Sequence, residues 1–222
     1  MRAFLLAAGK GKRLKPLTNR TPKPLINIAG KSLILHRLEA LKRAGVRDVV
    51  INISYMEEKF HAEYATWSNL DMNIEFSYEK SILGTGGGIG KVIDFFKDDE
   101  FIVCSSDIWT DYNLNQLLIN KPFSGHLVLV NNSKLNPEGD VSLIDNIVSL
   151  KNEENSYSFS GIALLNPDLF KAIRKENYDL WKEVLKPAVL NEIISGEIFE
   201  GNHININTFD DLQKIDGYTL GE

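Results

Sequence analysis

Leu5–Leu25 reads LLAAGKGKRLKPLTNRTPKPL, an apolar run that stops abruptly in a glycine-rich basic loop. The uncharged run Ala3–Ala8 ends at Gly9-Lys10-Gly11-Lys12-Arg13. A strand apolar on both faces belongs in the interior of a parallel sheet. The loop behind it adds Lys15, Lys23 and three prolines, Pro16, Pro22 and Pro24. Proline fixes its own φ and biases the preceding residue toward extended backbone, so Lys23, framed by two prolines, is a charge held in one place. Free backbone N–H groups and clustered cations at a strand end are how proteins hold polyphosphate. The stretch predicts an enzyme acting on a nucleoside triphosphate.

Working outward, Ser32 is a plausible N-cap, and Leu33, Leu35, Leu38, Leu41 and Ala44 recur at helical spacing until Gly45. Val46–Ile53 reads as a second strand, Met56–Trp67 as a helix and Met72–Tyr78 as a third strand. Gly84–Gly90 (GTGGGIG) opens a helix through about Phe96. Phe101–Cys104 is a fourth strand, Leu114–Ile119 a short helix and His126–Asn131 a fifth strand. This alternation predicts an α/β fold with a doubly wound, mostly parallel sheet. Beyond Asn131 the strands shorten: Val141–Leu143, Ile147–Leu150, Ser158–Leu165, Ile198–Glu200 and His203–Asn207. Helices are expected at Asp168–Lys175, at Trp181–Ser195 with a break at Pro187, and at Phe209–Asp216. No linker or repeat interrupts the chain. It reads as one domain over residues 1–222, with a nucleotide-binding half (1–131) and a smaller second half (132–222) packed on it as a substrate lobe.

The 222 residues are 43% hydrophobic and 25% charged, an ordinary globular profile with enough apolar residues for a sizeable core. The net charge of −5 argues against a nucleic-acid binder. Of 25 basic and 30 acidic residues, the first 47 positions hold twelve basic and one acidic, Glu39. A basic quarter on an acidic body points to a local anionic ligand. One cysteine, Cys104, fits a reducing cytoplasm and sits at the end of an apolar run, as a core residue would. No apolar run approaches the roughly 18–20 residues of a membrane span, and no secretory leader is expected.

The first loop is not a P-loop, and the third position of the dinucleotide fingerprint holds Leu14 instead of glycine. What remains is glycine for close backbone approach and Arg13 for a bidentate grip on phosphate oxygens. Asp107 follows an apolar strand at the edge where open α/β sheets bind ligands. A carboxylate beside a triphosphate is the usual Mg²⁺ ligand, although an aspartate there also caps turns. Trp109 and Tyr112 either wall a sugar pocket or simply pack. The amides of Gly84–Gly88 either meet a base or ribose or form a tight strand-to-helix turn. Ser160-Gly161, inside an apolar strand, marks a close backbone approach. The four histidines have no metal-ligand spacing, and no Ser-His-Asp set can be built from the sequence.

LAAGKGKRLKPLT followed by PKPL resembles the signature of the sugar-1-phosphate nucleotidyltransferases. GTGGGI (Gly84–Ile89), SDIWTDYN (Ser106–Asn113), EGD (Glu138–Asp140) and FSGI (Phe159–Ile162) follow in the expected order. The short length, TGGGI and DIWTDY are most similar to members acting on UTP and N-acetylmuramic acid-1-phosphate in peptidoglycan recycling. Close relatives act on mannose-1-phosphate and GTP. The resemblance implies a Rossmann-like (GT-A-like) fold and the reaction of a sugar-1-phosphate with an NTP to give an NDP-sugar and pyrophosphate. It implies Mg²⁺ as cofactor, no nucleic-acid or membrane partner, and a cytoplasmic monomer or homodimer. By the same resemblance Leu6, Ala8, Gly9, Gly11, Lys12 and Arg13 bind the nucleotide, with Gly86 and Gly87 by the base and ribose. Arg13, Lys23 and Asp107 are the catalytic set, and Asp107 binds the metal. Trp109, Asp140, Ser160 and Gly161 lie on the sugar side.

The sequence departs from the family in one late strand. The family pattern W-x-D-x-G-T is matched by His203-Ile-Asn-Ile-Asn-Thr208, so Asn205 stands at the second metal aspartate and Asn207 at the glycine. An amide oxygen still coordinates Mg²⁺ but brings no charge. Three expectations follow: weaker metal binding, compensation by Asp210 or Asp140, or a nucleotide-sugar-binding protein without turnover. Ser106, in place of the usual glycine before Asp107, is a milder change. A cytidylyltransferase of similar fold would alter only the substrates.

Overall fold

The computed structural model describes residues 1–118, 123–133, 136–151 and 155–219. The opening apolar run forms β1 (Arg2–Leu6). After the basic loop come two short strands, β2 (Asn27–Ile28) and β3 (Lys31–Ser32), and helix α1 (Leu33–Arg43). Gly45 stops α1 with φ +75°, a left-handed turn that glycine adopts without strain. Then follow β4 (Asp48–Ile53), α2 (Glu57–Tyr64) and β5 (Asn73–Tyr78). The glycine cluster is α3 (Gly84–Gly90), with a single turn α4 (Ile93–Phe96) behind it. The first half closes with β6 (Phe101–Ser105), β7 (Ile108–Thr110) and β8 (Gly125–Val130). In the second half a hairpin of β9 (Val141–Ile144) and β10 (Ile147–Leu150) precedes β11 (Ser158–Leu165), α5 (Lys186–Leu190) and β12 (Ile194–Phe199). The last elements are β13 (His203–Asn205) and α6 (Phe209–Thr219).

Nine of the described strands form one sheet in the order β5-β4-β1-β6-β11-β8-β12-β10-β9. Strand β1 is parallel to both neighbours, with Leu5 opposite Ile51 of β4 and Cys104 of β6. Strand β11 runs antiparallel between β6 and β8, and β12 lies parallel to β8. Second-half strands are therefore built into the body of the sheet. Alternation along β1 feeds two cores. Ala3 and Leu5 pack with Leu38, Leu41, Phe60 and Trp67 on the face of α1 and α2. Phe4 packs with Ile89, Phe96, Phe101 and Tyr178 on the other face. Cys104 is fully buried in the first core, and burial pushes its thiol pKa up to about 12. No helix among the described residues is long and apolar enough to cross a membrane.

Two expected helices in the second half are overturned. Asp168–Lys175 is a short 3-10 turn, Pro167–Phe170. The helix expected over Trp181–Ser195 winds as a π-helical turn at Trp181–Leu185 and continues as α5 only to Leu190. Pro187, which has no N–H to donate, falls where the π-helical turn gives way to α5. Glu192, at φ +56°, then turns the chain, and Ile194 onward pairs with β8. Leu114–Leu118 is a 3-10 turn, and the expected helix end at Ile119 lies outside the described residues. Strands β5, β4, β1 and β6 are parallel, so their C-terminal ends share one edge.

Candidate active site

At that edge a cavity of about 370 Å³ opens between the first loop, the strand ends and the start of α3. The end of β1 is locked in place before the loop begins. Ala7 donates its backbone N–H to Asn52 Oδ1 at 2.7 Å, and Asn52 Nδ2 donates to Glu79 Oε1 at 2.8 Å. Glu79 Oε2 accepts from Leu83 N–H at 2.9 Å, just ahead of α3. Glu79 is 1% exposed, so this chain of hydrogen bonds joins β1, β4, β5 and α3 where water cannot compete.

The loop then folds over the cavity. Gly11 takes a left-handed φ of +56°, and its carbonyl accepts from Leu14 N–H and the Thr18 hydroxyl, each at 3.0 Å. A Cβ at Gly11 would lie 3.0 Å from both Lys23 Cβ and Thr18 Cγ2, so the missing side chain lets Lys23 pack beneath the loop. Lys23 is 7% exposed. Its ammonium donates to Asp107 Oδ2 at 2.6 Å and to Asn207 Oδ1 at 3.3 Å.

Asp107 is held by its surroundings as well as by Lys23. Ser106, buried just before it, donates backbone N–H and hydroxyl to Leu6 O, at 3.1 and 2.6 Å, which fixes the turn after β6. The Asp107 carbonyl accepts from Ile206 N–H at 3.0 Å. Next along the chain, β7 pairs antiparallel with β13, and buried Arg37 of α1 donates to Thr110 O at 2.9 Å. Burial lowers the Arg37 pKa. Asp211 accepts the backbone N–H groups of Asn207 and Thr208, both at 2.9 Å, and caps the start of α6.

Leu6, Ala8, Gly9, Gly11, Lys12, Arg13, Lys23 and Asp107 all line the cavity. Gly86 and Gly87 do not. Their N–H groups both donate to Tyr178 O at 3.1 Å, and they press on the Glu176–Leu180 segment, while Gly84 and Thr85 face the cavity instead. Trp109 packs partly buried against the small core of Leu14, Ile26, Leu33 and Ile206. Asp140 accepts from Asn136 Nδ2 and Phe159 N–H, both at 3.0 Å, near the β9 end of the sheet. Ser160 is buried, and its hydroxyl accepts from Ile162 N–H at 3.2 Å. Gly161 (φ +84°) abuts the cavity wall, because a Cβ there would lie 2.8 Å from Ser105 Oγ. Asn205 is exposed on β13, opposite Ile108, outside the cavity lining.

Sequence reasoning missed Asn52, Glu79 and the side chain of Asn207. Asn52 left a trace, as a lone polar residue in the apolar strand Val49–Ile53. The sequence allowed no Ser-His-acid set, yet His126 Nδ1 lies 2.8 Å from Ser195 Oγ and its Nε2 lies 3.4 Å from Glu197 Oε2. That group joins β8 to β12 away from the cavity lining. For a cation the donor set is spare. No group of three or more His, Cys, Asp or Glu among the described residues is arranged for a metal. Two carboxylates line the cavity, and Glu79 is committed to Asn52 and Leu83, so Asp107 is the one that suits Mg²⁺ shared with substrate phosphates, which this ion prefers to an all-protein cage.

The nucleotidyl transferase family pattern matches residues 2–134. N-acetylmuramate alpha-1-phosphate uridylyltransferase of Neisseria meningitidis serogroup B is 33% identical over 216 residues, 94% of each chain. Mannose-1-phosphate guanyltransferase of Schizosaccharomyces pombe is 34% identical over 212 residues, 86% of this chain and 56% of its own length. The chain thus spans about half of that relative. Among solved structures, HddC from Yersinia pseudotuberculosis complexed with GMP-PN superposes with a TM-score of 0.81 at 19% identity, over 98% of this chain and 99% of that one. At that identity the superposition shows the shared fold.

Proposed function

The chain belongs to the nucleotidyl transferase family and is a sugar-1-phosphate nucleotidyltransferase, and on that premise we propose that its donor is UTP and its acceptor N-acetylmuramic acid-1-phosphate. One observation carries the choice: the likeness to the uridylyltransferase runs end to end, over 94% of both chains. On this reading the enzyme serves peptidoglycan recycling in the cytoplasm.

The acceptor's phosphate oxygen is already anionic, so attack on the α-phosphorus needs no protein base. It attacks in line, the bond to the β-phosphate oxygen breaks, and pyrophosphate leaves with its electron pair. The protein's part is positioning and charge. The backbone from Ala8 to Gly11 approaches the triphosphate, Lys12 and Arg13 grip its oxygens, and buried Lys23 neutralises charge at the reacting phosphates. Asp107 would hold Mg²⁺ together with phosphate oxygens, and the ion would supply charge neutralisation there. The sugar is expected on the Ser105 and Gly161 side, with Asp140, Ser160 and Trp109 as candidates for its wall.

The test is pyrophosphate release with Mg²⁺ across UTP, GTP, CTP and dTTP, each against N-acetylmuramic acid-1-phosphate, mannose-1-phosphate and glucose-1-phosphate. Release with the first of each set is expected. Release only from GTP and mannose-1-phosphate would replace the substrate assignment. Silence throughout, with UTP still raising the melting temperature, would mark a binding protein without turnover. In the active enzyme Lys23→Ala and Arg13→Ala each lose about 10²-fold or more in rate, since each removes a charge aimed at the reacting phosphates. Near-normal turnover in either variant would end its phosphate assignment.

A further inference from the structure

Along α1 the buried residues Leu33, Ile34, Leu38 and Leu41 form an apolar stripe at helical spacing, and Arg37 sits in the middle of it. It is 3% exposed. By period, position 37 calls for leucine or methionine. Nη2 donates to Thr110 O at 2.9 Å, while Nε and Nη1 are buried and meet no acceptor. No carboxylate among the described residues pairs with the guanidinium. The titratable groups that act on it are Cys104 and Arg43. Cys104, its thiol pushed up to about 12, stays uncharged and offsets nothing. A buried charge without a partner is among the costliest groups a fold can carry, and an apolar side chain of similar volume removes that cost. A local conflict of this kind points to a functional role.

The strand pair that Arg37 grips reaches the cavity at its other end. Strand β7 pairs antiparallel with β13, with Ile108 opposite Asn205 and Thr110 opposite His203. Just beyond the Ile108–Asn205 end, Asp107 O accepts from Ile206 N–H at 3.0 Å, and Asp107 and Asn207 line the cavity. Arg37 holds the Thr110 end and does not itself line the cavity. We propose that Arg37 is a positioning residue for the reaction: its hydrogen bond to Thr110 clamps the β7–β13 pair to α1 and so fixes where the Asp107 carboxylate stands. The inference rests on the reading of Asp107 as a group that serves the reacting phosphates. Arg37 touches no substrate on this account and acts only through the backbone of β7. A displacement of about 1 Å at a reacting group is enough to cost up to about 10²-fold in rate, so a clamp three residues away has leverage.

The experiment is steady-state pyrophosphate release by the full chain, with calorimetry alongside. Arg37→Met removes the charge and the clamp and keeps the apolar volume. Its melting temperature should stay within about 2 °C of the parent or rise, because the unpaired charge is gone. Its kcat should fall roughly tenfold, with both KM values changed by less than about threefold. Arg37→Lys should regain most of the lost kcat, since Thr110 O takes one N–H and an ammonium supplies it.

The Asp107→Asn background separates a clamp on Asp107 from a general structural role. There, adding Arg37→Met should cost less than about twofold more, because the carboxylate that Arg37 positions is already gone. A further loss of about tenfold in the double variant would overturn the proposal. Unchanged kcat in Arg37→Met would overturn it too, as would a collapse of the melting temperature in that variant. Failure of Arg37→Lys to regain kcat at a normal melting temperature would also count against the clamp and end it. Near-normal turnover in Asp107→Asn is a different failure: it removes Asp107 from the reaction and ends the reading on which the inference rests.

Discussion

The glycines at 9 and 11 and those between 84 and 90 answer to different neighbours. A Cβ on Gly9 meets nothing within 4 Å. The space beside it belongs to the cavity. In α3 the same substitution always meets protein. A Cβ on Gly86 runs into the Tyr178 ring, one on Gly87 into Glu176 O, and one on Gly90 into the Tyr178 hydroxyl. A Cβ on Gly88 falls 2.7 Å from both Asn52 Nδ2 and Glu79 Oε1. Five glycines in seven residues make a poor helix by propensity, at a cost of about 1 kcal/mol each relative to alanine. The helix exists because Tyr178 and its neighbours pack on it and because Tyr178 O accepts from Gly86 and Gly87. Gly9 leaves room for a ligand, and the glycines of α3 leave room for the protein itself.

The largest effect that tests this contrast is Gly87→Ala. Its Cβ would meet a backbone oxygen, which cannot step aside as a side chain can. A loss of about 3 kcal/mol or more is expected, at the upper end of overpacking costs. In a chain of this size that lowers the melting temperature by about 6–12 °C. Calorimetry checks it, and an unchanged melting temperature would mean that α3 is free to move off the Glu176–Leu180 segment.

That contrast also explains what the sequence could and could not tell. The first strand, α1 and its glycine stop, and the basic loop were legible because each is encoded locally: an apolar run, a 3.6-residue period, glycines among lysines. The cavity residues from Leu6 to Lys23 followed from the same stretch. A glycine carries no mark of what occupies the space it leaves, so the position of Gly86 and Gly87 against Tyr178, about ninety residues away, could not be read. The segment after Trp181 failed for a related reason. Its apolar spacing is helical to Val189, but Ile194–Phe199 becomes a strand by pairing with β8, a partner nearly seventy residues earlier. Asn207 was hidden too, because its contact with Lys23 spans 184 positions.

Gly11→Ala falls between the two clusters. The left-handed φ of +56° costs any L side chain about 1–2 kcal/mol. The new methyl would also press Lys23 and Thr18 at 3.0 Å. The expected melting temperature falls by about 2–8 °C. Turnover should fall further than that destabilisation explains, since Lys23 is displaced from Asp107. A variant that loses stability while keeping kcat would show that the loop and Lys23 are independent.

Gly9→Ala should have the smallest effect on the fold and the most selective effect on the ligand. With nothing near its Cβ and no left-handed φ, the substitution has no mechanism for strain. The melting temperature should stay within about 1–2 °C of the parent. The methyl would instead project where the backbone approaches the triphosphate, so the KM for nucleotide should rise several-fold while the KM for the sugar phosphate holds. Both constants come from the same pyrophosphate assay. If Gly9→Ala is as destabilising as Gly87→Ala, the first loop is packed like α3, and the glycines there were selected by the protein's own neighbours. If stability and both KM values are unchanged, the triphosphate does not come close to residue 9, and its contacts begin at Gly11.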